Sequence, residues 1–487
     1  LNKKQMKTIK SLYFFIFIVL LHGCEDLEVE NFNEPETTRV LSTPDDFINV
    51  LDGATLQFWN AIHKYSPYMT LSVAADHGSS SWGNFNMRSV GTVGEPYGLG
   101  DHSAIENTVT AIYTAYLETP YNNLYSVASS ANDIIVAVNN SDLGENEKNQ
   151  AKAYAYFLRG LGFGYLGLLF DQALVFDENT PDITALGYND FESYPELISQ
   201  GVADMQSAIQ AANNTESISI TGFNGLTIDK ATLVSLSNAY QAKFMIHGCR
   251  TEAETNQLDW NTVLQKTQAA NVVFDLSPIG DGGTNWWHAF FLQNNSGWMR
   301  LDQKIINMVN SSSPFPYPED GYDSDETILP SIDQRFGDGN SSGKKFKFAG
   351  GAPFRANRGI YFYCFWKFDE YESYRENLTD PMPSFENIEN RLNMAEAMIR
   401  LGMPGAAAII NESRVSTGGL APATDGDTDL LDKLFYERYL EAYEGPGNPF
   451  FDRRRTDDLG NKQFKHFPVP ARNLNAWEAP LYTTGGE

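Results

Sequence analysis

Cysteine is scarce in this chain: Cys24, Cys249 and Cys364 are the only three in 487 residues. They are too few and too scattered for a disulfide framework or a four-thiolate zinc site. Basic charge is also short. Against 62 acidic residues stand 35 lysines and arginines, a net charge of -27. A surface that acidic repels phosphate backbones, so nucleic acid is excluded as a main partner. The unbroken apolar run Leu12–Leu21 is too short to span a bilayer as a mature helix. There is no HExxH and no Walker phosphate loop, and the seven histidines stand apart in the sequence, which leaves metalloprotease and nucleotide chemistry without a foothold. Neither a metal nor a cofactor is expected. What remains is 42% hydrophobic and 20% charged, close to the globular norm, in a length that allows several domains or one large body.

Lys3, Lys4, Lys7 and Lys10 precede the apolar run, the layout of a cleaved export signal over 1–23. Leu21-His22-Gly23-Cys24 resembles a bacterial lipobox, whose cysteine is acylated to become the new N-terminus; His22 departs from the usual small or aliphatic residue. The alternative is an ordinary signal with an incidental cysteine. Removing 1–23 takes four lysines and no acids, from -27 to -31. The acidic stretch Glu25–Glu30 and the polar residues after it read as a tether over 24–40, with the body at 41–487.

Within the body, Tyr154, Leu158, Leu161, Tyr165 and Leu168 recur at steps of four and three, an apolar stripe on a helix running from Glu147 to Phe170. Gly160, Gly164 and Gly167 beside it cost helix propensity, about 1 kcal/mol each relative to alanine, a loss that close helix approach can offset. Further helices are expected over Ile105–Val138 with a break near Pro120, and over Tyr194–Ala212, Asp229–His247, Trp260–Val273, Ile388–Leu401 and Gly405–Arg414. The last pair, joined by Gly402-Met403-Pro404-Gly405, resembles a tetratricopeptide unit. From Leu276 to Asn387 the helical period disappears into Gly, Asn, Ser, Pro and aromatic sequence, too long for a mere linker. The expected fold is therefore mainly α: a tetratricopeptide-like helical hairpin scaffold, about 41–275 and 388–487, with a loop-rich irregular lobe, about 276–387, that carries the ligand site.

Ala153–Gly160 with Leu169-Phe170-Asp171, Met394-Ala395-Glu396-Ala397 with Asn411 and Arg414, Glu437-Arg438 with Glu441 and Glu444-Gly445, Phe451-Asp452-Arg453-Arg454, and Phe467-Pro468-Val469-Pro470 with Asn475 run in order along the chain. Together these segments resemble the SusD/RagB family of outer-membrane lipoproteins of Bacteroidetes, in which glycine is usual where Asp171 stands. The resemblance implies a cell-surface, lipid-anchored glycan-binding protein on the extracellular face of the outer membrane. It also implies a SusC-like TonB-dependent barrel as partner, to which oligosaccharide is delivered, and no chemistry of its own. Arg159, Glu437, Arg438 and Arg453 then read as buried or bridging ion pairs.

A glycan site needs flat aromatic faces with amides and charged groups around them. The informative aromatics are those set in Gly/Asn/Ser sequence: Trp82, Trp286, Trp287 and Trp298, with Tyr317 and Tyr322 among prolines. Each has packing within its loop as the alternative role. With a mature charge near -31, a neutral polysaccharide or oligosaccharide is favoured over a polyanion. β-1,3-glucan of the laminarin type is placed ahead of α-glucan and mannan. The competing readings are an adhesin or structural lipoprotein without soluble ligand, and a glycoside hydrolase, for which Glu437 and Glu441 offer carboxylates but with Arg438 beside them read as a solvated or salt-bridged face. Asp425-Gly426-Asp427-Thr428-Asp429 opens like a calcium loop but lacks glycine at the sixth and glutamate at the twelfth position, so it reads as an acidic turn capping the next helix.

Overall fold

Thr43 and Asp46 cap each other at the start of helix α1 (Pro44–Ile62): the Thr43 N–H donates to Asp46 Oδ2 at 2.8 Å, and Thr43 Oγ1 accepts the Asp46 N–H at 3.3 Å. In the computed structural model the described residues are 43–80, Met87, Val90, 105–111, 114–270, 274–293, 298–313, Phe315, 333–337, 342–349, 365–460 and 463–483. They belong to one unit, Thr43–Glu487. Nine more helices build its scaffold: α2 (Ala115–Asn139), α3 (Glu145–Leu169), α4 (Tyr194–Asn213), α5 (Lys230–Gly248), α6 (Trp260–Ala269), α7 (Asn387–Arg400), α8 (Ala406–Arg414), α9 (Leu430–Glu441) and α10 (Asn448–Arg455). Each helix from α1 to α8 packs on its successor, and α10 packs back on α5. The fold is mainly α and tetratricopeptide-like, as expected.

The predicted stripe of α3 is fully inside, with Tyr154, Leu158, Leu161, Tyr165 and Leu168 all buried. Its glycines sit where α4 and α5 come closest. A Cβ on Gly201 of α4 would stand 2.7 Å from the Gly164 backbone nitrogen, and a Cβ on Gly164 would stand 2.2 Å from the Phe244 ring of α5. The propensity lost there is offset by helix contact closer than any side chain permits.

Pro120 does not break the second helix. It lies inside α2, which starts at Ala115 rather than near Ile105. Proline removes the hydrogen bond to the carbonyl four residues back, here Tyr116. Ser66 Oγ donates to that carbonyl at 2.5 Å, so the helix continues without an orphaned group. Helix α6 ends at Ala269, where the Ala270 N–H donates to Lys266 O; 271–273 lie outside the described residues.

Strands are short and paired in twos: β1 (Gly78–Ser79) with β6 (Arg300–Leu301), β2 (Gln172–Leu174) with β3 (Phe191–Ser193), β4 (Ser219–Ile220) with β5 (Ile228–Asp229), and β7 (Phe346–Phe348) with β8 (Trp366–Phe368), all antiparallel. The region expected to be loop also holds helical turns at Phe290–Gln293, Gln303–Val309 and Glu372–Asn377. These are too short to display a helical period. The second is set by Asp302, whose carboxylate accepts the Lys304 N–H at 2.8 Å, and it buries Ile305 and Ile306.

Buried ion pairs join these parts. Arg159 of α3 reaches Asp204 of α4 at 2.7 Å and Glu178 at 2.8 Å. Arg438 meets Asp452 at 2.8 Å, and Arg455 takes Glu396 with two bonds of 2.7 and 2.6 Å. Arg335 is held by Asp333, Glu437 and Glu441 at 2.7, 2.7 and 3.0 Å. Glu437 and Glu441 are thus salt-bridged but not solvated, because α9 turns that face inward. Leu169-Phe170-Asp171 and the closing proline segment meet directly: Phe467 N–H donates to Leu169 O at 2.7 Å and Asp171 N–H to Phe467 O at 3.2 Å. Asp171, where glycine was expected, accepts the Tyr482 hydroxyl at 2.7 Å. The acidic turn also departs from expectation. The chain doubles back along α8, with Asn411 bonded to the Ala423 backbone, so Asp425 accepts the Gly405 and Ala407 N–H groups at 2.7 and 2.9 Å. It caps the preceding helix, not the following one.

Lys345, just before β7, meets Glu370 at 2.7 Å, Glu444 at 3.2 Å and Glu441 at 3.5 Å. Burial pushes Glu386, beside this group, up to about 8, with Lys345 opposing and Glu370 adding to the rise; burial likewise raises Glu444 well above the carboxylate range. A carboxylate whose folded pKa lies above its unfolded value of about 4.3 binds an extra proton only in the native state between those two values. Its contribution to stability is therefore full below the window and is lost as pH rises through it. The urea midpoint should fall between about pH 5 and pH 8, and Glu386→Gln should remove a measurable part of that slope; an unchanged slope would show that Glu386 is ionised throughout.

Candidate functional site

Helix α1 ends at His63, whose N–H donates to Trp59 O at 3.1 Å, and the next two residues, Lys64 and Tyr65, meet the 281–291 segment. That segment is shaped by Asp281, whose carboxylate accepts the N–H groups of Thr284 at 2.9 Å and Asn285 at 2.8 Å. Gly282 and Gly283 between them have φ of +77° and +93°, a backbone that glycine adopts without strain. Burial, the largest single influence on Asp281, raises its pKa, but several backbone N–H donors together outweigh it and hold the carboxyl below its usual range.

The turn delivers Trp286, Trp287 and His288 onto the end of α1. Trp286 is 9% exposed, with its ring 5.3 Å from that of Trp59. His288 is buried in a nest with His63 (5.2 Å), Trp59 (5.7 Å) and Tyr68 (4.4 Å). Histidines far apart in sequence thus become neighbours, and burial pushes both His63 and His288 well below the usual imidazole range. They are neutral packing groups at physiological pH.

Trp287 faces the other way and is only partly buried. Its carbonyl accepts Trp59 Nε1 at 3.0 Å and Lys64 Nζ at 2.8 Å, and Lys64 also donates to Asn285 O at 3.1 Å. The Lys64 ammonium stands 3.8 Å from the centre of the indole, a cation–π distance. Burial pulls Lys64 down to about 7, with the Asp281 carboxylate opposing. Tyr65 and Phe291, both partly exposed, flank the indole at 5.1 and 5.7 Å. The result is an aromatic platform whose backbone is fixed independently of its ring.

Trp298 instead lies two residues before β6, next to the β1–β6 ribbon. Its carbonyl accepts Ser80 Oγ at 2.9 Å, and its side chain is half-buried. Trp82, Tyr317, Tyr322 and Cys24 lie outside the described residues. Cys249 is a buried free thiol whose pKa burial pushes up. The sequence reading missed Trp59, His63, Lys64 and Tyr65, since it assigned no helix before Ile105. The Thr43-Pro44-Asp45-Asp46 cap is the signal that places α1.

No protein-family model and no curated protein matches the sequence. Solved structures do match the architecture. A SusD superfamily protein from Parabacteroides distasonis superposes with a TM-score of 0.61, covering 90% of this chain and 98% of its own, at 13% identity. The chain has the SusD fold. A SusD superfamily protein from Bacteroides vulgatus gives 0.59 at 14% identity, covering 89% of this chain and 97% of that one. A SusD-like carbohydrate binding protein from Bacteroides fragilis gives 0.57 at 12%, covering 85% and 86%. In this SusD fold the platform sits where the end of α1 meets the loop-rich lobe. Among the described residues no helix is long and apolar enough to cross a membrane.

Proposed function

We propose that this chain is a cell-surface glycan-binding protein that captures a neutral polysaccharide or oligosaccharide and performs no chemistry on it. The observation that carries the reading is the Trp287 platform, with Tyr65 and Phe291 beside it and Lys64 over its indole, on a fold it shares with a protein described as carbohydrate binding. An indole with a cation on one face offers its other face to the C–H groups of a pyranose ring. Trp298 and Trp82, with Tyr317 and Tyr322, are proposed as further contacts, and Trp286 as the buried support of Trp287.

Hydrolysis would need a pair of carboxyl groups with their pKa values pushed apart around a substrate. Glu437 and Glu441 are instead committed to Arg335 inside the protein. The resemblance to the SusD/RagB family adds the rest of the proposal: lipid attachment at Cys24, display on the extracellular face of the outer membrane, and delivery to a SusC-like TonB-dependent barrel. β-1,3-Glucan of the laminarin type is the proposed ligand, because the net charge favours a neutral glycan and a curved chain suits a few fixed aromatics better than a straight one.

Affinity electrophoresis through gels containing laminarin, starch, mannan, alginate or pectin tests the ligand class. Retardation in at least one neutral gel and none in the polyanionic gels is expected, given the charge of -27. Retardation only by the polyanions, or by nothing, would overturn it.

A further inference from the structure

Away from the platform, a surface pocket of about 430 Å³ opens between α2, the segment after β2, and the C-terminal turn at Trp477. Its size is that of ordinary small-molecule sites, about 300–1,000 Å³. One wall is a polar stripe of α2. Asn122, Ser126, Ser129 and Ser130 line the pocket, and their spacing of four, seven and eight residues places them on one helix face. Among the described residues the hydroxyls of Ser126, Ser129 and Ser130 make no hydrogen bond within the chain, although each is only partly exposed. The opposite wall is aromatic. Trp477 is half-buried, its ring set edge-on to Phe191 at 5.2 Å and 85°. Phe176 lies nearly parallel to Tyr125 at 6.5 Å and 24°. Tyr125 stands on α2 beside the serine stripe; it spends its hydroxyl on the Leu174 backbone, and its ring lines the pocket. At one end Asn473 Nδ2 donates to Asn122 Oδ1 at 3.0 Å, which ties the two walls together and leaves the rest of both amides to a ligand.

Among the described residues no acidic, lysine, arginine or histidine side chain lines the pocket. An ionised ligand would therefore lose its hydration without gaining a countercharge. A purely apolar ligand would strand the serine hydroxyls and the amide groups. Flat rings together with hydroxyls and amides match a compact, neutral, polyhydroxylated molecule with an apolar face.

We propose that this pocket is a second saccharide site, taking a neutral unit of disaccharide size that stacks on Trp477 and hydrogen-bonds to the serine stripe of α2. It borrows from the proposed function only the class of ligand to try, and it shares no residue with the platform.

The test is carried out on the full chain bearing Trp287→Ala, so that the platform does not contribute, with laminaribiose, cellobiose and maltose as probes in saturation-transfer NMR and titration. Saturation transfer to at least one disaccharide is expected. Adding Trp477→Ala should weaken it on the order of tenfold or more. Ser129→Trp, which fills the pocket from a partly exposed helix position, should abolish it while the circular dichroism of the helices is retained. Absence of any disaccharide binding in the Trp287→Ala protein, or binding that neither Trp477→Ala nor Ser129→Trp changes, would overturn the proposal. Disaccharide binding at Trp477 in a protein that no polysaccharide gel retards would support the pocket and count against the platform alone.

Discussion

Replacing Arg335 by methionine is expected to lower the unfolding free energy by about 3–5 kcal/mol, the usual cost of removing one partner from a buried ion pair. Arg335 is wholly buried, and its guanidinium is the countercharge for Asp333 and Glu437, both also fully buried, and for Glu441. Burial alone lowers an arginine's pKa, but these carboxylates reverse the effect and hold it above its ordinary value. The group joins a described segment of the lobe, 333–337, to helix α9. Without it, Asp333 loses the guanidinium and Glu437 falls back on the longer pairing with Arg414 at 3.4 Å and the Ser413 hydroxyl at 2.9 Å, so two buried carboxylates lose their main countercharge. Urea denaturation should show a lower midpoint. An Arg335→Met protein as stable as the parent would mean that the lobe does not depend on this tie.

Gly201→Ala should destabilise the protein, although helix propensity alone predicts a gain of about 1 kcal/mol for this change inside a helix. The two effects have opposite signs, so the sign of the result decides between them. An added Cβ would lie 2.7 Å from the Gly164 nitrogen, 2.8 Å from its Cα and 3.1 Å from the Gly160 carbonyl oxygen. All three are backbone atoms of α3, which cannot rotate aside as a side chain does. Forcing α3 and α4 apart also loosens the packing of the Tyr154–Leu168 stripe on its neighbours. Overpacking of a well-filled core typically costs about 1–3 kcal/mol, and here it should exceed the propensity gain. A raised thermal midpoint would show that the helices separate easily and that the glycines do not set their spacing.

The parts of the fold that were legible in the sequence are those where one physical signal dominates. Helix α3 shows five apolar residues on one face over nearly its whole length, and α5 carries its cap at Asp229, which accepts the Thr232 N–H at 2.8 Å. Pro120 misled because the group that satisfies the freed carbonyl, Ser66, lies fifty residues earlier. The Gln303–Val309 helix was invisible because two turns do not make a period. At the candidate site, Trp286 and Trp287 stood out by their Gly/Asn setting, but only the structure separates them: one packs on Trp59 and the other carries Lys64 over its ring. Lys64 and Tyr65 gave no local sign, since their meaning depends on a segment more than two hundred residues away.

The most direct measurement is a calorimetric titration of the neutral glycan that retards the parent protein, with the parent beside Trp287→Ala. The bonds that fix this loop run from Trp59 Nε1 and Lys64 Nζ to the Trp287 carbonyl, so truncating the indole leaves them in place and removes only the aromatic face. A true platform residue should cost on the order of 2 kcal/mol, about thirtyfold in affinity, with the unfolding midpoint little changed. Equal affinity of the two proteins for the same glycan would contradict the assignment of the platform as the site.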